Sequence, residues 1–70
     1  MTVTTINIYT GRITDREVIA INKKSIDVSY PEYRTGKQRF YLRPSIGNDY
    51  FFAEYPADYL RYTRANSAKG

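Results

Sequence analysis

Apolar and polar residues alternate over short stretches of this chain, and each stretch ends at a turn signal. Residues 2–9 are rich in β-branched side chains and place Ile6 and Ile8 on the same face, with a glycine soon after. Residues 24–30 alternate just as regularly, and the proline that follows ends the stretch because proline cannot donate a ladder hydrogen bond. Both stretches therefore predict β-strands.

The segment at residues 16–22 supports two interpretations. Its β-branched residues favour a strand, whereas Thr14 and Glu17 have the spacing of a capping box, which would open a helix over residues 15–24. Because β-branched side chains lose rotamer freedom in a helix, and because a strand pattern follows directly, we prefer a hairpin that turns near residues 22–24. The helix at 15–24, and with it an α+β fold, remains the alternative.

Two further strands and a short helix complete the predicted elements. Residues 37–43 and 50–55 are each preceded by turn residues and followed by a proline, which is typical of short strands. Pro56 and Asp58 suit the first turn of a helix, so we predict a helix from residue 56 to about residue 64. Three tyrosines would pack on the sheet from one side of this helix: Tyr55, Tyr59 and Tyr62.

Five short strands spaced about ten residues apart predict a mainly β fold. We expect a strongly bent antiparallel sheet, closed or nearly closed into a small SH3-like or OB-like barrel, with the short C-terminal helix docked on it. Residues 1–65 would form this single domain. Residues 66–70 would form a flexible tail, because they contain no apolar side chain larger than alanine.

Composition narrows the possible chemistry. The 70 residues include eight tyrosines and three phenylalanines but no cysteine and no histidine. This composition excludes disulfides, cysteine nucleophiles, histidine-based catalytic triads and the usual zinc sites. We therefore expect no enzymatic activity, no metal and no cofactor. No apolar run approaches the roughly 18 residues of a membrane span, and no secretion signal is apparent, so we expect a cytoplasmic protein without membrane contact.

The net charge of +4 is distributed in blocks along the chain. Residues 34–43 contain four basic side chains and no acid, and residues 59–70 contain three basic side chains and no acid. Residues 49–58 contain three acids and no base. The surplus of positive charge is thus expected on the fourth strand and near the C-terminus.

The fourth predicted strand has one face that the core does not need. If Phe40 and Leu42 point inward, Arg39, Tyr41 and Arg43 lie together on the outer face. The arginines would pair with acids of the fifth-strand region, or the face would bind a nucleic acid or a protein. Pairing within the fold would involve one of three acids: Asp49, Glu54 or Asp58.

The function predicted from the sequence is recognition of a protein partner by a binding module of the adaptor or inhibitor type. Opposite charge blocks favour a protein slightly over nucleic acid, because the acidic block would repel a long polyanion. The alternative is a basic nucleic-acid-binding module with little sequence preference, and an unpaired edge strand would also permit a homodimer. The candidate partner-binding residues are Lys37, Arg39, Tyr41, Arg43, Tyr59, Arg61, Tyr62 and Arg64.

Overall fold

The computed structural model describes residues 1–63, which form a closed barrel of six antiparallel strands. The strands are β1 (Thr2–Asn7), β2 (Ile13–Ile21), β3 (Ser25–Ser29), β4 (Lys37–Leu42), β5 (Tyr50–Ala53) and β6 (Asp58–Arg61). Each strand pairs with the next one along the chain, and β6 returns to pair with β1. The predicted mainly β barrel is confirmed, with up-and-down connectivity.

The hairpin predicted at residues 22–24 is confirmed. The backbone N–H of Asn22 donates to the carbonyl of Ser25 at 2.8 Å and closes the turn between β2 and β3. The alternative helix over residues 15–24 is wrong, because this segment lies in β2 and the turn after it. Val18 packs against the core opposite Val28, and a β-bulge follows before Ala20.

The C-terminal helix predicted from residue 56 is wrong, and the sheet has six strands rather than five. Asp58–Arg61 is strand β6, which pairs with β5 on one side and β1 on the other. Asp58 and Leu60 are buried with the period of a strand, while Tyr55 is 79% exposed. The reason is barrel closure: a strand at this position pairs the facing edges of β1 and β5, which a helix would leave open.

The barrel interior is filled by side chains from all six strands. The fully or almost fully buried core residues are Val3, Ile26, Val28, Tyr30, Phe40, Phe51, Ala53, Leu60 and Tyr62. In β4, Phe40 is buried and Leu42 packs against the core, while Arg39 and Tyr41 are exposed, which confirms the alternation expected there.

The first strand buries a valine and a threonine and turns its one isoleucine to the outer face. Val3 and Thr5 face the core, and the Thr5 hydroxyl donates to the carbonyl of Thr14 at 3.1 Å. Ile6, which alternates with them, lies on the outside, and Ile8 is exposed just beyond the strand. The outer surface of the barrel therefore carries apolar side chains that the core does not use.

Part of the predicted organisation lies outside the described residues, namely Arg64 and the tail at 66–70. Residues 1–63 contain no helix, and so none of the length and hydropathy needed to cross a membrane. Within residues 1–63, β6 pairs with β1, so no strand of the barrel has a wholly unpaired edge. The homodimer stays a prediction.

Candidate functional site

Five outward-facing side chains line up across five neighbouring strands. The pairing register sets Ile13 opposite Ile6, and Ile6 opposite Tyr59. It also sets Tyr59 opposite Phe52, and Phe52 opposite Tyr41. Residues directly opposite on adjacent strands share a face, so these side chains form one continuous line, which we call the outer row.

The outer row is accessible to a partner. Tyr41 is 57% exposed and Ile13 is also exposed, while the three side chains between them are half-buried. The sequence neighbours of Phe52 and Tyr59 fill the barrel interior instead. A contiguous apolar surface of this kind is more often an interaction site than scattered single residues are.

A hollow of about 400 Å³ lies beside the outer row. Its lining, which we call the outer pocket, consists of Ile8, Arg43, Ser45, Ile46, Phe52 and Tyr59. The turn between β4 and β5 brings Ile46 to the pocket, because the backbone N–H groups of Ile46 and Gly47 both donate to the carbonyl of Arg43. The pocket thus has aromatic and aliphatic walls with one guanidinium at its edge.

Two arginines lie against rings on this surface. The guanidinium carbon of Arg43 is 5.2 Å from the centroid of the Phe52 ring. That of Arg61 is 5.9 Å from the centroid of Tyr50, whose ring is 6.3 Å from the ring of Tyr59. Both distances are within the range of cation–π attraction, which holds the charges beside the apolar surface.

Arg39 forms an ion pair with Asp27 on β3. Its Nε donates to Oδ1 at 2.8 Å and its Nη2 donates to Oδ2 at 3.3 Å. These hydrogen bonds hold the pKa of the buried Asp27 below its ordinary value and raise the pKa of Arg39. A partner for Arg39 in the fifth-strand region was the wrong expectation, because the register places Asp27 directly opposite Arg39.

The structure separates the eight predicted partner-binding residues. Four lie on the outer surface around the outer row and outer pocket: Tyr41, Arg43, Tyr59 and Arg61. Lys37 and Arg39 are exposed on the same face of β4 as Tyr41, but outside the outer row, and the register sets them opposite Ser29 and Asp27 of β3. Tyr62 is only 8% exposed and belongs to the core, and Arg64 lies outside the described residues.

Sequence reasoning missed the apolar half of this surface. The sequence predicts Phe52 only as part of a strand and does not link it to Ile6, Ile8 or Ile46. The pairing register and barrel closure join these residues, and neither is visible as a local pattern. The one available signal was the number of large apolar side chains, which exceeds what so small a core can enclose.

A second, polar cleft of about 400 Å³ opens at one end of the barrel. Inside it the carboxylate of Asp58 accepts hydrogen bonds from the Tyr30 hydroxyl at 2.6 Å and from the Asn7 amide at 2.9 Å. Arg16 lies 3.7 Å from the centroid of the Tyr30 ring and forms two hydrogen bonds with Glu32. Because most of these polar groups form hydrogen bonds with one another, we assign the cleft a structural role, in which they cover this end of the core.

The outer row and outer pocket are therefore the candidate site, since their apolar side chains lie outside the core and form one contiguous surface. Across residues 1–63, no group of three acidic side chains is arranged to hold a metal ion. Comparison of the chain with models of protein families, with curated proteins and with solved structures finds no match.

Proposed function

We propose that this protein is a non-enzymatic binding module that recognises a protein partner through the outer row and the outer pocket. The observation that carries the proposal is the outer pocket, in which Phe52 and Tyr59 combine with two exposed isoleucines and Arg43. A module of this kind would act as an adaptor or an inhibitor, by occupying a surface of its partner.

The shape and chemistry of the pocket suit a protein side chain. Binding energy at protein interfaces is concentrated where an apolar or aromatic anchor enters a desolvated pocket, and tyrosine and arginine are common in such places. Ile8 and Ile46 provide aliphatic walls for an anchor of this kind. Arg43 at the edge would form a bidentate pair with an acidic side chain next to the anchor.

Nucleic acid is the alternative ligand. The exposed ring of Tyr41, the basic side chains of β4 and the net charge of +4 favour it. Against it, Phe52 and Tyr59 are half-buried, and the guanidinium of Arg43 already lies over the Phe52 ring. A base would have to displace this arginine to stack there, whereas an anchor in the aliphatic pocket would not.

The test compares two exposed isoleucines that differ in position. Ile46 is 61% exposed in the outer pocket, and Ile19 is 52% exposed on β2 outside it. Wild type, Ile46→Glu and Ile19→Glu are used to capture partners, and the affinity of a captured, purified protein is then measured by calorimetry. Each variant must first show wild-type stability in urea.

We expect Ile46→Glu to weaken binding by about tenfold or more, the equivalent of one buried apolar anchor, while Ile19→Glu binds like wild type. Equal affinity of all three proteins would contradict the proposal. A random single-stranded oligonucleotide, titrated at low and physiological salt, tests the alternative. NMR shifts at Tyr41 and Arg43 that weaken as salt is added, but are still present at physiological salt, would favour nucleic acid instead.

A further inference from the structure

The barrel is closed by a short seam between its first and last strands. β1 and β6 pair only through Thr5 with Leu60, Ile6 with Tyr59 and Asn7 with Asp58. If the same register continued, Thr4 would lie opposite Arg61 and Thr2 opposite Thr63. The pairing stops at Thr5 instead, so the seam is open beyond this point.

Beyond Thr5, each of the two strands stays attached to its other neighbour. The N–H of Val18 in β2 donates to the carbonyl of Met1 at 2.7 Å, which keeps the start of β1 on β2. The N–H of Tyr62 donates to the carbonyl of Asp49 at 2.8 Å, which keeps the chain after β6 close to β5. The seam therefore opens into a groove between β1 and the end of β6.

This groove, which we call the seam groove, has a volume of about 590 Å³. It is lined by residues 1–4, Ile6 and residues 60–63. The core residues Val3 and Leu60 contribute to its lining, and the exposed Arg61 provides a positive charge. Tyr62 also lines it, and within the described chain its buried hydroxyl has no hydrogen-bond partner.

Backbone groups on both sides face the open seam. Successive residues of an extended chain direct their N–H and C=O groups to alternate sides. Because the carbonyl of Met1 faces β2, the N–H and C=O of Thr2 face the seam. Because the N–H of Tyr62 faces β5, the backbone of Thr63 faces the seam as well. Such rows of strand backbone are what an added strand pairs with.

We propose that the seam groove binds an extended segment of a partner protein by β-strand addition. The segment would pair its backbone with β1 at Thr2, direct alternate apolar side chains toward Val3 and Leu60, and place an acidic side chain next to Arg61. This site shares Ile6 with the outer row but no residue with the outer pocket, and it uses backbone hydrogen bonds rather than a side-chain anchor. Its test follows the amides of Thr2 and Thr63, which belong to neither the outer row nor the outer pocket, so its failure is distinguishable from that of the proposed function.

The test uses a short capped peptide of alternating valine and glutamate as the probe. Its control is the same peptide with alternate backbone amides N-methylated, which keeps the side chains but removes the donors. Amide shifts and hydrogen exchange of the full chain are followed by NMR during each titration. We expect the first peptide to shift and protect the amides of Thr2 and Thr63, and the methylated peptide to have no effect.

Three variants make the test specific. Thr2→Pro removes a seam-facing N–H without removing a bond to β2, and Thr2→Ala is its matched control. Because one backbone hydrogen bond is lost, Thr2→Pro should bind the probe peptide about fivefold more weakly than wild type, whereas Thr2→Ala should bind it with wild-type affinity. Arg61→Glu should weaken the glutamate peptide and favour one in which lysine replaces glutamate, a reversal that a merely unfolded protein would not show.

Several results would overturn the proposal. These are equal binding of the methylated peptide, equal affinity of the two Thr2 variants, and shifts confined to the outer pocket. Absence of any shift at millimolar peptide would do the same. Binding that occurs only after residues 64–70 are deleted would also overturn it, because the occupant would then be this chain's own C-terminal segment rather than a partner.

Discussion

The Tyr30 hydroxyl donates a 2.6 Å hydrogen bond to the Asp58 carboxylate at one end of the barrel. Both side chains are buried. Tyr30 comes just after β3 and Asp58 begins β6, and these two strands are not neighbours in the barrel. Asn7 at the end of β1 donates to the same carboxylate at 2.9 Å and to the carbonyl of Pro56 at 2.7 Å. One carboxylate thus joins three segments that are distant in sequence.

Replacing Tyr30 with phenylalanine should destabilise the protein measurably. Tyr30→Phe removes the Tyr30 donor to the buried Asp58 carboxylate and leaves the side-chain donor of Asn7, and leaving such a group underpaired costs about 1–3 kcal/mol. The change is measured as the free energy of unfolding in urea. Tyr9→Phe is the control, because Tyr9 is almost fully exposed and should change stability little. Equal stability of the two variants would show that the hydrogen bond contributes nothing net.

The same pair predicts a loss of stability in alkali. Burial, and then the hydrogen bond to Asp58, raise the pKa of Tyr30 above its ordinary value near 10. The folded state holds the proton of the Tyr30 hydroxyl more tightly than the unfolded state does. The contribution of this hydroxyl to the free energy of unfolding is therefore fully present below pH 10 and is lost as pH rises further. Urea midpoints measured across this range should fall less steeply for Tyr30→Phe than for wild type. Parallel curves for the two proteins would contradict the prediction.

The Asp27–Arg39 pair predicts the opposite behaviour in acid. Hydrogen bonds from Arg39 lower the pKa of Asp27, so the pair stabilises the fold above the ordinary carboxylate pKa and loses this effect as pH falls through the lowered value. In Arg39→Gln, the pKa of Asp27, followed by carboxyl-carbon NMR, should rise toward normal. Arg43→Gln is the control, because Arg43 has no ion pair within residues 1–63. An unchanged Asp27 pKa in Arg39→Gln would refute this assignment.

Local alternation predicted the strands whose large apolar residues face inward. In β4, Phe40 and Leu42 identify the core face without any knowledge of the neighbouring strands. In β1 the same reasoning fails, because Thr5 is buried while Ile6 lies on the outer row. A threonine whose hydroxyl donates to a neighbouring strand, as Thr5 does to Thr14, can be buried at little cost in free energy. The register of the two strands decides which carbonyl accepts this hydrogen bond, and the register cannot be read from a single sequence.

Nonlocal pairing also explains the error at the C-terminus and the partial prediction of the site. Pro56 and Asp58 are typical of a helix start, yet Asp58 instead serves as the carboxylate that binds Tyr30. The arginines and tyrosines that the sequence predicts on the surface form only the polar and aromatic part of the candidate site. The other half, including Phe52 and Ile46, depends on which strands become neighbours when the barrel closes.

Strand β6 can be distinguished from the helix suggested by its sequence with two substitutions. In the barrel, Leu60 is buried between β1 and β5, so Leu60→Ala should cost about 2–5 kcal/mol of unfolding free energy in urea. Tyr55→Ala should cost less than about 0.5 kcal/mol, because that ring is largely in solvent. A docked helix that packs its tyrosines on the sheet would give the reverse order, since Tyr55 would then be an anchor. A cost for Tyr55→Ala equal to or greater than that for Leu60→Ala would therefore contradict the closed barrel at the very strand that completes it.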